Sequence, residues 1–154
     1  MSLLLKVLLG VLAFLIATYL AIVAGLLFEL WPTTLDDHPL ELTSENLQKL
    51  NALRERPKFV ADQDMMYSGV PNERDRLRAE SILNNMIDRL IAGVRQSPRK
   101  SFVMRAFKDA LREFTEFDTE EQERMGRYLN EVMDILEIES SNKLIMVWRY
   151  KFPL

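Results

Sequence analysis

The chain has 154 residues, with 20 Lys and Arg against 23 Asp and Glu, one His and no Cys, for a formal net charge of -3. That length holds one domain with an appendage. The missing Cys excludes a disulfide framework, a thiol nucleophile, thiolate metal sites and a lipoprotein anchor. The mild acidity argues against nucleic acid as a partner, which needs a basic footprint.

The first predicted element is a membrane anchor over residues 1–31. Its core, Val7–Phe28, is 22 residues without a charge, with only Thr18 and Tyr19 polar. As a helix it rises about 33 Å, enough for a hydrocarbon core of about 30 Å. A lipid bilayer requires every backbone polar group to bond internally, which dictates a helix. Lys6 marks one end. Glu29, Leu30, Trp31 and Pro32 mark the other, with Trp31 suited to the headgroups and Pro32 stopping the helix. A cleaved signal peptide has a shorter apolar region and an A-x-A-like site, and none follows Phe28. Lys6 lies on one side, and no Lys or Arg occurs between Glu29 and Gln48 on the other. The positive-inside rule then places the N-terminus in the cytoplasm and the soluble domain on the periplasmic side of a bacterial inner membrane. Ala13, Ala17, Ala21 and Gly25 recur every fourth residue as a ridge of small side chains. Such a ridge is a candidate packing surface for another transmembrane helix, although Ala is also simply common in such spans.

Residues 32–42, with two Pro and three Asp or Glu, read as an acidic tether. His38 follows Asp36 and Asp37, which hints at a metal site. One His and two adjacent carboxylates on a linker lack preorganised geometry, so no metal or other cofactor is expected.

The soluble domain, 43–154, reads as helices. Thr43 or Ser44 caps the first, which buries Leu47, Leu50 and Leu53 and ends near Pro57. A loop follows from Lys58 to Asn72, broken by Gly69 and Pro71. Its apolar residues Phe59, Val60, Met65, Met66, Tyr67 and Val70 are expected to pack over the core. The next helix, about Glu73–Arg95, carries a stripe from Leu83 to Val94. Ser97-Pro98 predicts a cap and first helical residue for a helix burying Val103, Phe107, Leu111 and Phe114. Asp118-Thr119 opens the last long helix, with Glu121 and Gln122 placed for a capping box and Met125, Leu129 and Val132 on its apolar face. The acidic run Asp118–Glu123 is explained by the positive end of that helix. Arg74, Arg76 and Arg78 alternate with acids that cancel them, which predicts a solvated, ion-paired helix start. From Leu144 to Phe152 the pattern suits either a strand or a short helix after Ser140-Ser141; a helix or irregular tail is favoured because a lone strand has no clear partner. Trp148, Arg149 and Tyr150 have the composition of a partner contact, and equally of a plug closing the core.

The pieces Asp118-Thr119-Glu120, Tyr128–Ile135, Glu139-Ser140-Ser141 and Trp148–Phe152, with Lys58–Ala61 and Tyr67–Val70 upstream, resemble a bacterial family called domain of unknown function 4844. The resemblance covers about residues 44–154. It implies a small helical bacterial domain and brings no catalytic residues. Members often read W-x-Y-G-F near the end, and here Lys151 stands in the Gly position; a Gly there implies a special backbone turn.

The expected fold is all-α: a single N-terminal transmembrane helix followed by a helical bundle of about four helices. The expected function is a membrane-anchored, non-enzymatic domain that binds a protein partner at the cell envelope, in its sharpest form an immunity-type protein meeting a soluble toxin-like protein. The alternative is an accessory subunit of a larger membrane complex, docked on integral membrane proteins through its span. A third reading is an enzyme using carboxylates such as Asp118 and Glu121, which a structure showing both fully exposed, with no cleft beside them, would remove. The lipid bilayer is the other partner implied; no small-molecule substrate is expected.

Overall fold

The longest element, α1, runs Leu3–Leu30. The computed structural model describes residues 3–31, 33–34, 36–151 and 154, and the side chains of all these except Leu4, Phe28 and Glu29. At 28 residues α1 is about 42 Å long. Its segment Leu5–Leu27 has a mean hydropathy of 2.7 and is long and apolar enough to cross a membrane. It ends where the Thr33 and Thr34 hydroxyls both donate to the Leu30 carbonyl, at 3.1 and 2.6 Å. The expected stop at Pro32 falls outside the described residues.

The helical domain that follows holds α2 (Ser44–Glu55), α3 (Glu73–Gly93), α4 (Lys100–Glu113), α5 (Thr119–Ile135) and the short α6 (Leu144–Arg149). No strand occurs among the described residues. α3 packs on α2 and α4, α2 leans on α5, and α6 closes over α4 and α5. The apolar stripes meet in one core, where Leu50, Leu83, Ile87, Leu90, Phe107, Leu111 and Leu129 are fully buried. Thr43 caps α2 as expected: its hydroxyl accepts the Asn46 N–H at 3.1 Å, and Asn46 Oδ1 accepts the Thr43 N–H at 2.7 Å. Asn46 then donates across to the Ile135 carbonyl at 2.5 Å, so one residue serves the start of α2 and the end of α5.

Three details depart from the sequence reading. The capping box of α5 is not formed. Asp118 makes no side-chain cap bond, and Gln122 instead donates to the Thr115 and Phe117 carbonyls at 3.1 and 2.7 Å, sealing the α4–α5 turn. The C-terminal piece is helical, but Lys143 with φ 69° precedes it, not a serine cap. Lys151, in the position where the related family often has Gly, does adopt φ 59°; Phe152 lies outside the described residues. Finally, α4 begins at Lys100, two residues beyond Pro98, because its cap comes from elsewhere.

That cap is the tether. Asp37 Oδ1 accepts the Ser101 N–H at 2.9 Å and its Oδ2 meets Arg99 Nε at 2.6 Å. Lys100 Nζ, almost wholly buried, joins Asp36 at 2.6 Å to Asn142 at 2.9 Å. The Lys100 N–H donates to the His38 carbonyl and the Leu40 N–H to the Pro98 carbonyl, at 3.0 and 2.7 Å. The tether is therefore clasped to the domain, and Asp37 supplies the carboxylate that the start of α4 lacks locally. Burial opposes the Asp37 charge, but the Ser101 and Arg99 bonds outweigh it and hold its pKa below the usual value. The Lys100 bond does the same for Asp36. Carboxylates with depressed folded values stabilise at pH above the unfolded value and lose that contribution as pH falls through the folded one. The substitution Asp37→Ala is expected to cost about 1 kcal/mol at neutral pH. It should speed amide exchange in the first turn of α4, and the difference from the native chain should begin to shrink below about pH 4 and vanish as pH falls through the lowered folded value. Hydrogen exchange read by mass spectrometry over residues 99–104 measures it.

Candidate functional site

Three parts of the surface carry the sequence-predicted site residues. Ala13, Ala17, Ala21 and Gly25 lie exposed along α1. A side chain built at Gly25 would meet nothing of this chain within 4 Å. The residues Trp148, Arg149 and Tyr150 separate by role. Trp148 is buried, edge-on to Phe114 at 6.4 Å, and plugs the core. Arg149 pairs with Glu123, and Tyr150 stands exposed. Any partner contact made here therefore falls to Arg149 and Tyr150. Asp36 and Asp37 are engaged in the clasp around His38, and among the described residues no group of three acidic, His or Cys side chains could hold a metal ion.

Sequence reasoning missed the most elaborate feature, the loop Lys58–Val70. It is a braced hairpin. Asp62 and Tyr67 exchange backbone bonds at 2.8 and 2.9 Å, and the Val70 N–H donates to the Phe59 carbonyl at 3.1 Å. Phe59 anchors it. Its φ of 57° is unusual for a bulky residue, yet its ring is fully buried between Phe114 and Tyr128, at 5.4 and 5.2 Å. Its N–H donates to the Tyr128 hydroxyl at 3.2 Å. Gly69, at φ 81°, lets the return arm pass against the outgoing one.

Arg124 of α5 fixes the hairpin from below. Its guanidinium lies 5.3 Å from the centroids of both Tyr67 and Tyr128 and bonds Asp62 at 2.7 Å. That bond, chief among several, holds the Asp62 carboxyl below its usual range. The other Asp62 oxygen accepts the Met65 N–H at 3.3 Å and shapes the tip. Burial pushes the Tyr67 hydroxyl up to about 12, with the nearby Glu121 charge adding to it.

The tip corrects an expectation. Phe59, Tyr67 and Val70 do pack on the core, but Val60, Met65 and Met66 face solvent, and Met66 is 94% exposed. The physical reason is the alternation of a short hairpin. Its two ends are pinned by Phe59 and Tyr67, so the turn between them is carried off the surface. A groove of about 700 Å³ runs beside it, lined by Val60, Met65, Arg124 and Arg127 and closed by the Arg56–Glu131 pair at 2.6 Å.

The acidic run opens α5 as expected, with Glu120 and Glu121 in its first turn. Asp118 is exposed, Glu121 is buried, and both line a cleft of about 470 Å³. The cleft that the carboxylate reading needed is present. Arg76 is held between Glu73 and Glu80 at 2.7 and 2.6 Å, in keeping with an ion-paired helix start.

The chain belongs to the family described as a domain of unknown function, DUF4844, whose profile matches residues 41–153. No curated protein matches it. Among solved structures, it is similar to the crystal structure of a DUF3571 family protein from Acinetobacter baumannii AYE. The identity is 23%, the TM-score is 0.63, and the match covers 69% of this chain and 89% of that one. At that identity the likeness shows the fold alone.

Proposed function

With membership of that family as the premise, we propose that the chain is a membrane-anchored, non-enzymatic domain that binds a protein partner at the cell envelope, as an immunity-type protein binds an incoming toxin. The observation that carries this reading is the hairpin tip. Two methionines project from a loop that is pinned to the core at both ends and rimmed by Arg127, Glu120 and Glu123. Thioether side chains adapt to a partner's surface, and a rigid base limits the entropy lost on binding. The orientation with the domain on the periplasmic side of the inner membrane is part of the proposal and rests on Lys6.

A second reading has its own observation. The ridge Ala13, Ala17, Ala21 and Gly25 is exposed along α1, as a docking surface for an integral membrane protein would be. This is the accessory-subunit alternative.

One experiment separates them. The full chain, tagged at its C-terminus, is extracted gently from native membranes, and co-purifying proteins are quantified by mass spectrometry. Met65→Ser with Met66→Ser is expected to reduce a soluble partner about tenfold while leaving thermal melting unchanged. A stoichiometric integral membrane protein lost on Ala17→Leu with Ala21→Leu, and indifferent to the hairpin, would overturn the first reading in favour of the second. The absence of any stoichiometric partner would sink both.

A further inference from the structure

We infer that the cleft between the start of α3 and the α4–α5 turn binds a guanidinium or ammonium side chain presented by a protein partner. The cleft, about 470 Å³, joins three stretches distant in sequence. Val70 and Pro71 form one wall, Asp75 and Arg78 of α3 another, and Glu116, Phe117, Asp118 and Glu121 the third.

Charge is the first argument. The lining carries four carboxylates, and its one cation, Arg78, is taken by Glu116 at 2.8 Å. Burial is the second, independent argument. Glu121 is only 7% exposed, and among the described residues its carboxylate makes no hydrogen bond or ion pair, its oxygens keeping contact with solvent in the cleft that it lines. A carboxylate largely withdrawn from bulk water and without a partner gains from a cation placed beside it. Its neighbour in the wall, Gln122, spends its amide on the Thr115 and Phe117 carbonyls, and so is not available to it. A cation entering the cleft supplies the missing partner.

The cleft also shows the chemistry it selects. At its edge, the Arg78 guanidinium lies 5.4 Å from the Phe117 ring centroid while bonded to a carboxylate. Phe117 is in turn stacked on Phe114 at 4.2 Å, so the ring is a fixed platform. An aromatic face beside carboxylates suits a planar or alkyl cation. No three acidic side chains converge closely enough for a metal ion among the described residues, which favours an extended organic cation. The protein source of that cation rests on the partner-binding reading above; the cation chemistry of the cleft does not.

The test uses the full chain in detergent micelles and p-aminobenzamidine, an amidinium whose fluorescence rises on leaving water. The native chain is expected to bind it saturably. Glu121→Gln should weaken binding about tenfold or more with unchanged melting, because the neutral amide forfeits the charge-assisted bond. Asp118→Asn, an exposed position making no cap bond, should weaken it several-fold without a folding risk. N-acetyl-arginine amide should compete, and its citrulline counterpart should not. Saturable binding of equal strength in all three proteins, or none in the native chain, overturns the site. A peptide blocked at both ends, with one arginine and no other charge, should bind more tightly than N-acetyl-arginine amide; equal or weaker binding overturns the protein source. If the probe binds and the co-purification above yields no partner, the proposed function fails and the cation site stands.

Discussion

Gly69→Ala is expected to lower the melting temperature of the helical domain by more than 15 °C. Gly69 sits at φ 81°, where an L side chain is strained, at about 1–2 kcal/mol. A Cβ there would also lie 2.7 Å from the Ala61 nitrogen and 3.1 Å from the Val60 carbonyl carbon. Both are backbone atoms, so no rotamer change relieves the contact. The arms must part, and parting them breaks the Val70-to-Phe59 bond and loosens a fully buried ring. Losing part of the burial of one aromatic adds roughly 2 kcal/mol, for a total near 4 kcal/mol. A domain of this size loses about 4 °C or more per kcal/mol. Near-UV circular dichroism of the full chain in detergent, which reports the packed aromatics and not the helicity of α1, gives the midpoint. A shift under 3 °C would mean that the hairpin opens without cost to the core, and would remove the rigid base on which the Met65–Met66 contact depends.

What was legible in the sequence, and what was not, follows from where the partners of each residue lie. Helices α3, α4 and α5 declare themselves because their apolar residues recur at three and four, and that period is local. The cap of α2 is equally local, since Thr43 and Asn46 are three residues apart. The clasp is not. Asp37 reaches Arg99 across 62 residues and Ser101 across 64, so an acidic tether reads as a free one, and Pro98 draws the start of α4 two residues early. The hairpin was hidden for a different reason. Its path depends on positive φ at Phe59 and Met66, residue types that do not advertise it; only Gly69 signalled a turn. For the cleft, the acids at 118–123 were visible, but the isolation of Glu121 depends on Val70, Asp75 and Phe117 arriving from separate stretches. Of the partner triplet, the ambiguity between plug and contact was real: Trp148 went inward and Tyr150 outward, as neighbours on a helix end can.

Lys58→Ala is expected to cost about 3 kcal/mol, a large loss for a lysine. Most lysines are exposed, and their removal changes little. Lys58 is fully buried, and its ammonium donates to the Arg54 and Arg56 carbonyls at 2.9 and 2.7 Å. These belong to the end of α2, where the last carbonyls have no partner within the helix and the dipole is negative. The side chain thus turns back to close the helix that precedes it, and its own carbonyl accepts from Arg76 at 3.3 Å. Alanine loses two bonds to a charged group and leaves the volume of the stem empty. Methionine keeps most of the stem, so Lys58→Met should cost about 1–2 kcal/mol less than alanine. The comparison separates packing from charge. Burial holds the Lys58 pKa below its usual value, against the pull of Glu80. Between the folded and unfolded values the unfolded chain binds more protons, so this residue's contribution to stability rises with pH in that window. The cost of Lys58→Met should therefore grow as pH climbs toward about 10, and stay flat around neutrality. Denaturant melts of the two variants at pH 7 and pH 10 read both effects. Equal costs for alanine and methionine would assign the position to charge alone. A cost that falls at high pH would show the ammonium to be better placed inside the fold than in water, which is the opposite of what its burial requires.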